Sequence, residues 1–386
     1  MSATGNASGG GNGISLAGNV SGGRWTGNAV NGTGVNVTGN STLTNVFLNG
    51  TTENGTGVNV GGDLTSAGST TINGNASGNG TGASVGGALN GNIDGSSVSG
   101  AGAAVNGTVN GTVNGTVNGT SGTGTGVVVS DGADLTHGSV TGTTSGPGDG
   151  VNLSGHVTGG VVTGHADNGT GVNISSDSLL TDVIVNGFTV LGTGVNVAGN
   201  LTSAGSTTVS GRATDNGTGL RILSVSDVRG GWLSGESVSG PGGVLDGNNH
   251  LLSTTLTGSS GSNSGLLLNG MVMNTDSVLY GWSGSGDGVS VNSSSGSGQG
   301  LQLDGVLSTA GGTTLNGVVQ RDSSSERRQV YELQNRLSHN NRSLKQVVTA
   351  SGYREQEKPV VVEVCTDGES SCRHLDAGTP DRPLHP

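Results

Sequence analysis

The stretch Gly34-Val35-Asn36-Val37 decides the fold of this chain, because close copies of it recur along most of the length. Each copy has a glycine, an apolar residue, a third residue of any type and a second apolar residue. The complete copies are Gly57-Val58-Asn59-Val60, Gly82-Ala83-Ser84-Val85, Gly126-Val127-Val128-Val129, Gly150-Val151-Asn152-Leu153, Gly171-Val172-Asn173-Ile174, Gly194-Val195-Asn196-Val197 and Gly219-Leu220-Arg221-Ile222. The series continues at Gly265-Leu266 and Gly288-Val289. From Gly34 to Gly288 the glycines are 21 to 25 residues apart, except for two double steps of 44 and 46. A fixed period of this size is typical of a repeat architecture.

A longer duplication lies on top of this period. The three copies from Gly34 to Gly82 match the three that start at Gly171, at a constant offset of 137 residues. The segment 64–72 returns as 201–209. The chain is therefore built from a short repeat of about 23 residues and a duplicated block of several such repeats.

Within one period, apolar residues alternate over short stretches separated by glycine, asparagine, serine and threonine, as Val58 and Val60 do. This pattern predicts three short strands and three turns per coil. Such strands bury their apolar side only when coils stack, and stacking also pairs their backbone groups. The sequence therefore predicts an all-β fold, a parallel β-helix (solenoid) of about 23 residues per coil. We expect glycine at the corners to supply positive φ angles.

The predicted rod spans residues 1–320. Four Val-Asn-Gly-Thr units from Val105 to Thr120 interrupt its rhythm, and we interpret them as one irregular coil because the double step of 44 residues equals two coils. Intrinsic disorder is the competing interpretation of so much glycine, serine and asparagine. Disorder does not require apolar residues in phase, so we favour the rod.

After Gln320 the composition changes, since glycine is absent from 318 to 351. Ser323 and Glu326 have the spacing of a capping box, and we predict a short helix from about 324 to 337. A solenoid end exposes unpaired strand and core, so this helix would cover it. Residues 321–352 are thus predicted to be a helical cap or linker.

The last segment, residues 353–386, is predicted to be a tail that contains the two cysteines of the chain, Cys365 and Cys372. Residues 358–364 have the composition of a strand that leads to Cys365. One close pair in an otherwise cysteine-free chain suggests a small disulfide loop formed in an oxidising compartment. A reduced pair or a metal-binding pair are the alternatives.

The charge of the chain is acidic and unevenly distributed. The formal net charge is −12, and up to Gln320 the chain has four arginines and no lysine. Proteins bind phosphate backbones through lysine and arginine, so nucleic-acid binding is disfavoured. No apolar run is long enough for a membrane-spanning helix, and the first residues lack the basic and apolar stretches of a signal peptide. We therefore expect no export signal in this chain.

Some β-helices are enzymes that cleave polyuronic acids, so catalysis is one function that the sequence could encode. The nearest fragments to a glycosidase motif of the polygalacturonase type are Asn274-Thr275-Asp276, Gly155-His156 and Arg221-Ile222. They stand in the wrong order and lack the adjacent pair of aspartates that the chemistry needs. A lyase needs a basic residue beside a carboxylate cluster, which none of the four arginines of the rod has in sequence.

Metal and cofactor sites are also not indicated. His137, His156, His165 and His250 show no metal-ligand spacing. No Gly-Lys pair exists for a phosphate-binding loop, and the coil motif places an apolar residue where a dinucleotide fingerprint needs its third glycine. We predict no catalytic residue, no metal and no cofactor, hence no enzyme.

Asparagine in Asn-x-Ser/Thr sequons is dense in this sequence. In Val35-Asn36-Val37 the valines are expected to point inward, so the asparagine amide would face solvent and accept a sugar. The alternative is that a chain of this composition produces sequons by chance. The candidate glycosylation sites are Asn31, Asn36, Asn40, Asn49, Asn54, Asn75, Asn79, Asn106, Asn110, Asn114, Asn118, Asn168, Asn173, Asn200 and Asn216.

Trp25, Trp232 and Trp282 are the tryptophans of the chain. Stacking on sugars is one interpretation of them. With one aromatic residue every few coils, we favour local packing instead.

The iterated Gly-Thr-Gly-Val-Asn-Val, Gly-Asn-Leu-Thr-Ser-Ala-Gly-Ser-Thr-Thr and Asn-Gly-Thr blocks, with a cysteine pair near the C-terminus, resemble the exoproteins of bacterial two-partner secretion (TpsA-type). Similar members are the high-molecular-weight adhesins of Haemophilus, the filamentous haemagglutinins and the glycosylated exoprotein adhesins of enterotoxigenic Escherichia coli. The resemblance in the repeated sequence blocks covers residues 11–320, and it extends less clearly to the cysteine pair.

This resemblance implies a right-handed β-helical, monomeric rod that contacts a host-cell receptor or glycan from the bacterial surface or the extracellular medium. It implies a cytoplasmic N-glycosyltransferase acting on the sequons. It also implies that Cys365 and Cys372 form a disulfide loop that serves as a plug or anchor in an outer-membrane TpsB-type transporter. Because the family's signal peptide and secretion domain are not found here, the chain resembles a C-terminal fragment.

The sequence thus predicts a non-enzymatic adhesin segment in which many weak contacts add along a stiff rod. Two alternatives stay open. One is a carbohydrate-active β-helix, either a polysaccharide hydrolase or a lyase. The other is a passive stalk for a missing binding domain.

Overall fold

The computed structural model describes residues 1–292, apart from 68–69, 88, 107–108, 111–114, 131–133, 155, 224–225 and 271, and the backbone of the strands 301–316, 361–364 and 373–376. All regular structure in these residues is β-strand. The parallel β-helix predicted from the sequence is confirmed: each coil contributes to three ladders of parallel strands, which we call the first, second and third ladder in chain order. The predicted helix at 324–337 lies outside the described residues.

The first ladder consists of six-residue strands that pair in register from coil to coil. Its strands are Ser2–Ala7, Arg24–Ala29, Phe47–Thr52, Thr71–Ala76, Asn92–Ser97, Thr116–Ser121, Ser139–Thr144, Val161–Ala166, Ile184–Thr189, Thr208–Ala213, Trp232–Ser237 and Thr255–Ser260. Residues at positions 2, 4 and 6 of these strands point inward, and those at positions 1, 3 and 5 point outward.

The second and third ladders use shorter strands. The second contains Thr56–Val60, Thr81–Val85, Ala103–Val105, Val127–Val129, Val151–Leu153, Thr170–Ile174, Thr193–Val197, Thr218–Ile222, Gly243–Asp246 and Leu266–Asn269. The third contains Leu64–Ala67, Leu89–Asn90, Val109–Asn110, Asp134–Thr136, His156–Thr158, Ser178–Thr181, Leu201–Ala204, Ser226–Arg229 and Asn249–Leu252. Ile14–Ser21 and Thr33–Thr44 run from the second ladder into the third, and Val272–Asn292 and Leu301–Asn316 run through all three.

The core is a continuous column of apolar side chains. Val35 pairs with Val58 and Val37 with Val60 in the second ladder, and all four side chains are fully buried. The same positions are filled by valine, leucine, isoleucine or alanine in the other coils, except that Gly243 takes the place of the first apolar residue in one coil. Stacking apolar side chains of successive coils on one another removes the apolar side of the strands from water, which a single coil cannot do.

The Val-Asn-Gly-Thr run occupies one coil, as the sequence predicted. Val105 lies in the second ladder, Val109 in the third and Val117 in the first. Val105 and Val117 are buried, so the period of four residues in this stretch still delivers apolar side chains to the core.

Buried hydroxyl groups stabilise the corner between the first and second ladders. At the last position of the first-ladder strand, Ser97 Oγ donates to the carbonyl oxygen of Gly80 in the preceding coil at 2.7 Å and accepts from Gly100 N at 2.9 Å. Ser237 makes the equivalent pair of bonds. Small polar residues therefore fill the interior near this bend, and each hydroxyl satisfies backbone groups that would otherwise be buried without partners.

Glycine at the start of the second ladder is required by space. The first and second ladders approach so closely that a Cβ on Gly187 would overlap the carbonyl oxygen of Gly194, and a Cβ on Gly194 would overlap the backbone nitrogen of Arg212. The same contact recurs at Gly27 and Gly34, Gly50 and Gly57, Gly74 and Gly82, Gly95 and Gly102, Gly119 and Gly126, Gly142 and Gly150, Gly164 and Gly171, Gly211 and Gly219, Gly235 and Gly242, Gly258 and Gly265, and Gly281 and Gly288.

Positive φ angles are concentrated elsewhere, immediately after the third-ladder strand. Here the left-handed residue is glycine in some coils and Asn45, His137, Asp182, Ser253 or Asp276 in others, with φ between 48° and 55°. The expectation that corner glycines serve positive φ is therefore wrong for the repeated motif itself, whose glycines are not left-handed. Asparagine and aspartate tolerate this conformation best among residues with a side chain, which explains their use at this corner.

The tail is described only in two short strands. Val361–Val364 pairs antiparallel with Arg373–Asp376, with Val364 opposite Arg373. The strand predicted before Cys365 is thus present. Cys365 and Cys372 themselves lie outside the described residues, so their pairing stays a prediction.

Replacing one glycine of the close contact tests this account. Gly187→Ala should lower the free energy of unfolding by about 3 kcal/mol, because the added methyl group overlaps rigid backbone and the ladders must separate. Gly10→Ala is the matched control, since no atom lies within 4 Å of a Cβ there. Thermal unfolding followed by circular dichroism measures both, and equal melting temperatures for the two variants would contradict the contact.

Candidate functional site

Polar side chains on the outside of the rod stack in ladders that follow the coils. In the second ladder, Asn59 Nδ2 donates to Asn36 Oδ1 at 2.9 Å, and Asn196 Nδ2 donates to Asn173 Oδ1 at the same distance. Asn173 Nδ2 in turn donates to Asp149 Oδ2 at 3.1 Å. Asn36 faces outward between buried valines, as predicted, but its amide oxygen is bonded to the next coil.

The candidate glycosylation sites differ in the state of the side-chain nitrogen that would carry a sugar. In the first group this nitrogen already donates a hydrogen bond: Asn54, Asn118, Asn173 and Asn200. In the second group it has no partner among the described residues: Asn31, Asn36, Asn40, Asn49, Asn75, Asn79, Asn106, Asn168 and Asn216. Asn110 is described by its backbone in the third ladder, and Asn114 lies outside the described residues.

The middle of the first ladder carries a shallow polar depression of about 260 Å³. Its walls come from the outward positions of neighbouring strands: Asn73, Asn75, Asp94, Ser96, Asn118 and Thr120. Asn118 Nδ2 donates to Asp94 Oδ1 at 2.8 Å, and Ser96 Oγ donates to Asn75 Oδ1 at 2.9 Å. The depression is lined by amide, hydroxyl and carboxylate groups that partly satisfy one another.

The described aromatic residues all lie in the first ladder or in its continuation, 278–283. Trp25 packs against the core and donates its indole N–H to Gly22 O at 3.4 Å, which fits the local packing expected from the sequence. That interpretation is wrong for the other two tryptophans. Trp232 is 55% exposed and Trp282 43% exposed, because both occupy outward positions of their strands.

Other outward residues of this ladder interact across coils. His165 and Phe188 stack with ring centroids 4.8 Å apart, and the Arg24 guanidinium lies 4.3 Å from the centroid of Phe47. Stacked rings and a cation over a ring are the favourable arrangements for such groups. Sequence reasoning missed this grouping because the residues are dispersed along the chain and only the register of the ladder aligns them.

Some charged residues of the rod form ion pairs. Arg221 Nη2 lies 2.7 Å from Asp246 Oδ2, and Arg229 Nη2 lies 3.2 Å from Asp227 Oδ2. His250 Nδ1 lies 3.5 Å from the other oxygen of Asp227. These groups are substantially exposed, so each pair contributes little to stability.

The three fragments that resemble a glycosidase motif stand apart. His156 and Thr275 are both in the third ladder, with four strands between them, and Arg221 is in the second ladder. Among the described residues no group of three or more histidine, cysteine, aspartate or glutamate side chains could hold a metal ion, so His137, His156, His165 and His250 do not converge there.

Two aspartates have perturbed pKa values of opposite direction. Burial raises the pKa of Asp149 above its ordinary value of 3.8, although hydrogen bonds from Asn173 and Thr170 act the other way. Hydrogen bonds from the Ser206 backbone N–H, at 2.9 Å, and from its hydroxyl, at 3.0 Å, lower the pKa of Asp182. Asp149 therefore costs stability when ionised, and Asp182 contributes stability when ionised.

The pH dependence of two isosteric variants tests these directions. Asp149→Asn should raise the melting temperature at about pH 7, because the raised pKa means that stability is lost as pH rises from 3.8 through the folded-state value. Asp182→Asn should lower it at the same pH, because a lowered pKa gives stability that is lost as pH falls through the folded-state value. Both differences should shrink toward about pH 2, where each parent aspartate is protonated. Melting-temperature changes of the same sign in both variants would contradict the assignment.

Comparison with protein-family models, with curated proteins and with solved structures finds no match for this chain.

The described residues include no helix that is long and apolar enough to cross a membrane.

Proposed function

We propose that this chain is a non-enzymatic adhesin segment, a rod that attaches a bacterial surface to host cells through repeated contacts. The observation that carries the proposal is the first ladder, whose inward positions are fixed by the core while its outward positions hold amides, hydroxyls and exposed aromatic rings in register. Groups of this kind, repeated along a stiff support, suit weak multivalent binding.

The resemblance to two-partner secretion exoproteins supports the same function and supplies its context. By this resemblance the chain would act on the bacterial surface or in the extracellular medium, with a host-cell receptor or glycan as its partner and a TpsB-type transporter for export. The cysteines Cys365 and Cys372 would close the anchoring disulfide loop. The dispersed positions of His156, Arg221 and Thr275 argue against the alternative of a polysaccharide hydrolase or lyase.

Attachment to cells tests the adhesin proposal. Beads coated with the purified full chain should bind epithelial cell monolayers, and binding should fall more steeply than coating density, because many weak contacts add on one bead. Free chain should compete, and beads coated with albumin at equal density are the control. Absence of binding at every density would favour the passive stalk.

Glycosylation is a separate part of the proposal and has its own test. Peptide mapping of the protein from the surface of its native host should find hexose on exposed asparagines with an unbonded nitrogen, such as Asn75, Asn168 and Asn216, more often than on Asn118 and Asn200. A sugar on Asn118 or Asn200 would disturb a hydrogen bond to an aspartate. Equal occupancy of both groups would mean that the fold does not select the sites, and an unmodified protein would exclude glycosylation.

A further inference from the structure

Three exposed aromatic residues and one valine form a patch on the first ladder near the C-terminal end of the described rod. Trp232 begins the strand Trp232–Ser237, and Val278, Tyr280 and Trp282 occupy outward positions of the segment 278–283 two coils later. Their exposed fractions are 55%, 39%, 36% and 43%. We call these four residues the aromatic patch.

The strand Thr255–Ser260 lies between Trp232 and the segment 278–283 and carries a row of hydroxyl side chains on its outward side. Thr255, Thr257 and Ser259 occupy its outward positions and are half-buried, with Trp232 opposite Thr255 on one side and Trp282 opposite Ser259 on the other. Tyr280 and Trp282 alternate along one strand and are therefore about 7 Å apart at their Cα atoms, while Trp232 and Val278 are separated by about 10 Å. The rings thus border a row of small polar side chains.

The strand register identifies the residues that border the patch on each side. On one side, Ser234 and Glu236 share the strand of Trp232, and Glu236 lies 3.7 Å from the exposed Arg212. On the other side, the register places Ser308 and Ala310, which have small side chains, opposite Tyr280 and Trp282.

The chemistry of the patch favours a carbohydrate ligand. Aromatic rings bind the apolar face of a sugar ring, and hydroxyl and carboxylate groups bind its hydroxyls. A protein interface needs a fully buried apolar centre. Here the hydroxyl row of the intervening strand separates Trp232 from Tyr280 and Trp282, so the patch has no continuous apolar centre and a protein partner fits less well.

The charge of the rod selects among carbohydrates. The rod has no lysine up to Gln320, the whole chain has a net charge of −12, and Glu236 lies beside the patch. An anionic sugar would be repelled by this field, whereas a neutral one is indifferent to it. The complementary ligand is therefore an uncharged hexose chain.

We propose that the aromatic patch binds a neutral oligosaccharide, with Trp232 and Trp282 stacked on sugar rings and Thr255, Thr257 and Ser259 bonded to hydroxyls between them. The inference rests on the proposed adhesin function and adds a ligand class and a location to it. It differs from the polysaccharide-cleaving alternative, because none of these residues forms a catalytic pair.

The patch must be accessible in the full chain, since residues 317–386 follow the last rod strand and are the competing occupant. In a Trp25→Phe variant, the fluorescence comes from Trp232 and Trp282 alone. Acrylamide should quench it nearly as fully as it quenches free tryptophan. If the fluorescence of the folded variant and of the unmodified chain is strongly protected from acrylamide quenching, the C-terminal segment covers the patch. That result would overturn the proposal.

Binding is measured with labelled full chain on an array of maltohexaose, cellohexaose, mannohexaose, lacto-N-tetraose and sialylated oligosaccharides. At least one neutral sugar should bind, and Trp232→Ala and Trp282→Ala should each weaken it about tenfold, the loss of one ring contact. Leu191→Ala is the matched control, because Leu191 is 50% exposed and lies outside the first ladder. Its affinity should not change.

Three results would overturn the proposal: no binding to any neutral sugar, binding only to sialylated sugars, or affinity that neither tryptophan substitution reduces. The Trp232→Ala variant in the bead assay separates this inference from the adhesin proposal. Cell attachment without neutral-sugar binding would leave the adhesin proposal standing and exclude the patch. Sugar binding at the patch without cell attachment would support the patch and contradict the adhesin proposal.

Discussion

The close approach of two glycine columns is the contact on which the rest of the structure depends. At Gly187 and Gly194 the backbones of the first and second ladders touch, and neither position has room for a Cβ. This contact sets the thickness of the rod at that side and forces the same small residue at the same place in each coil. The inward valines and leucines of the described coils then pack into one continuous buried cluster.

Because the inside of each coil is fixed by glycine, aliphatic and small hydroxyl residues, variation is confined to the outward positions. Because the strands of each ladder pair in register, equivalent outward positions of successive coils lie side by side in a column. Polar residues that are 23 residues apart in sequence therefore become neighbours. Asn36 and Asn59, or Asn173 and Asn196, satisfy each other in this way. Such ladders stabilise the surface, and they also reduce the number of polar groups that are free to bind a ligand or a sugar.

Two kinds of surface result. Along much of the rod, asparagine, threonine, serine and aspartate form mutual hydrogen bonds, as around Asp94 and Asn118. Near the C-terminal end of the described rod, Trp232 and Trp282 remain exposed beside hydroxyl groups. The same backbone supports both, because outward positions carry no packing constraint. Function in such a rod is therefore encoded in which outward residues share a ladder, and catalytic groups would need to share one as well, which His156 and Arg221 do not.

The repeated motifs were sufficient to predict the parallel β-helix, the period of about 23 residues, the inward valines and the place of the irregular coil at Val105, because periodic apolar residues report which side of a strand is buried. The packing of coils was needed to reveal that the motif glycines serve a steric contact and that left-handed residues such as Asp182 belong to a different corner. It also decided which asparagine amides are bonded and that Trp232 faces the same way as Trp282. These features depend on the register between coils, which places residues from different repeats side by side, and no spacing within one repeat contains that information.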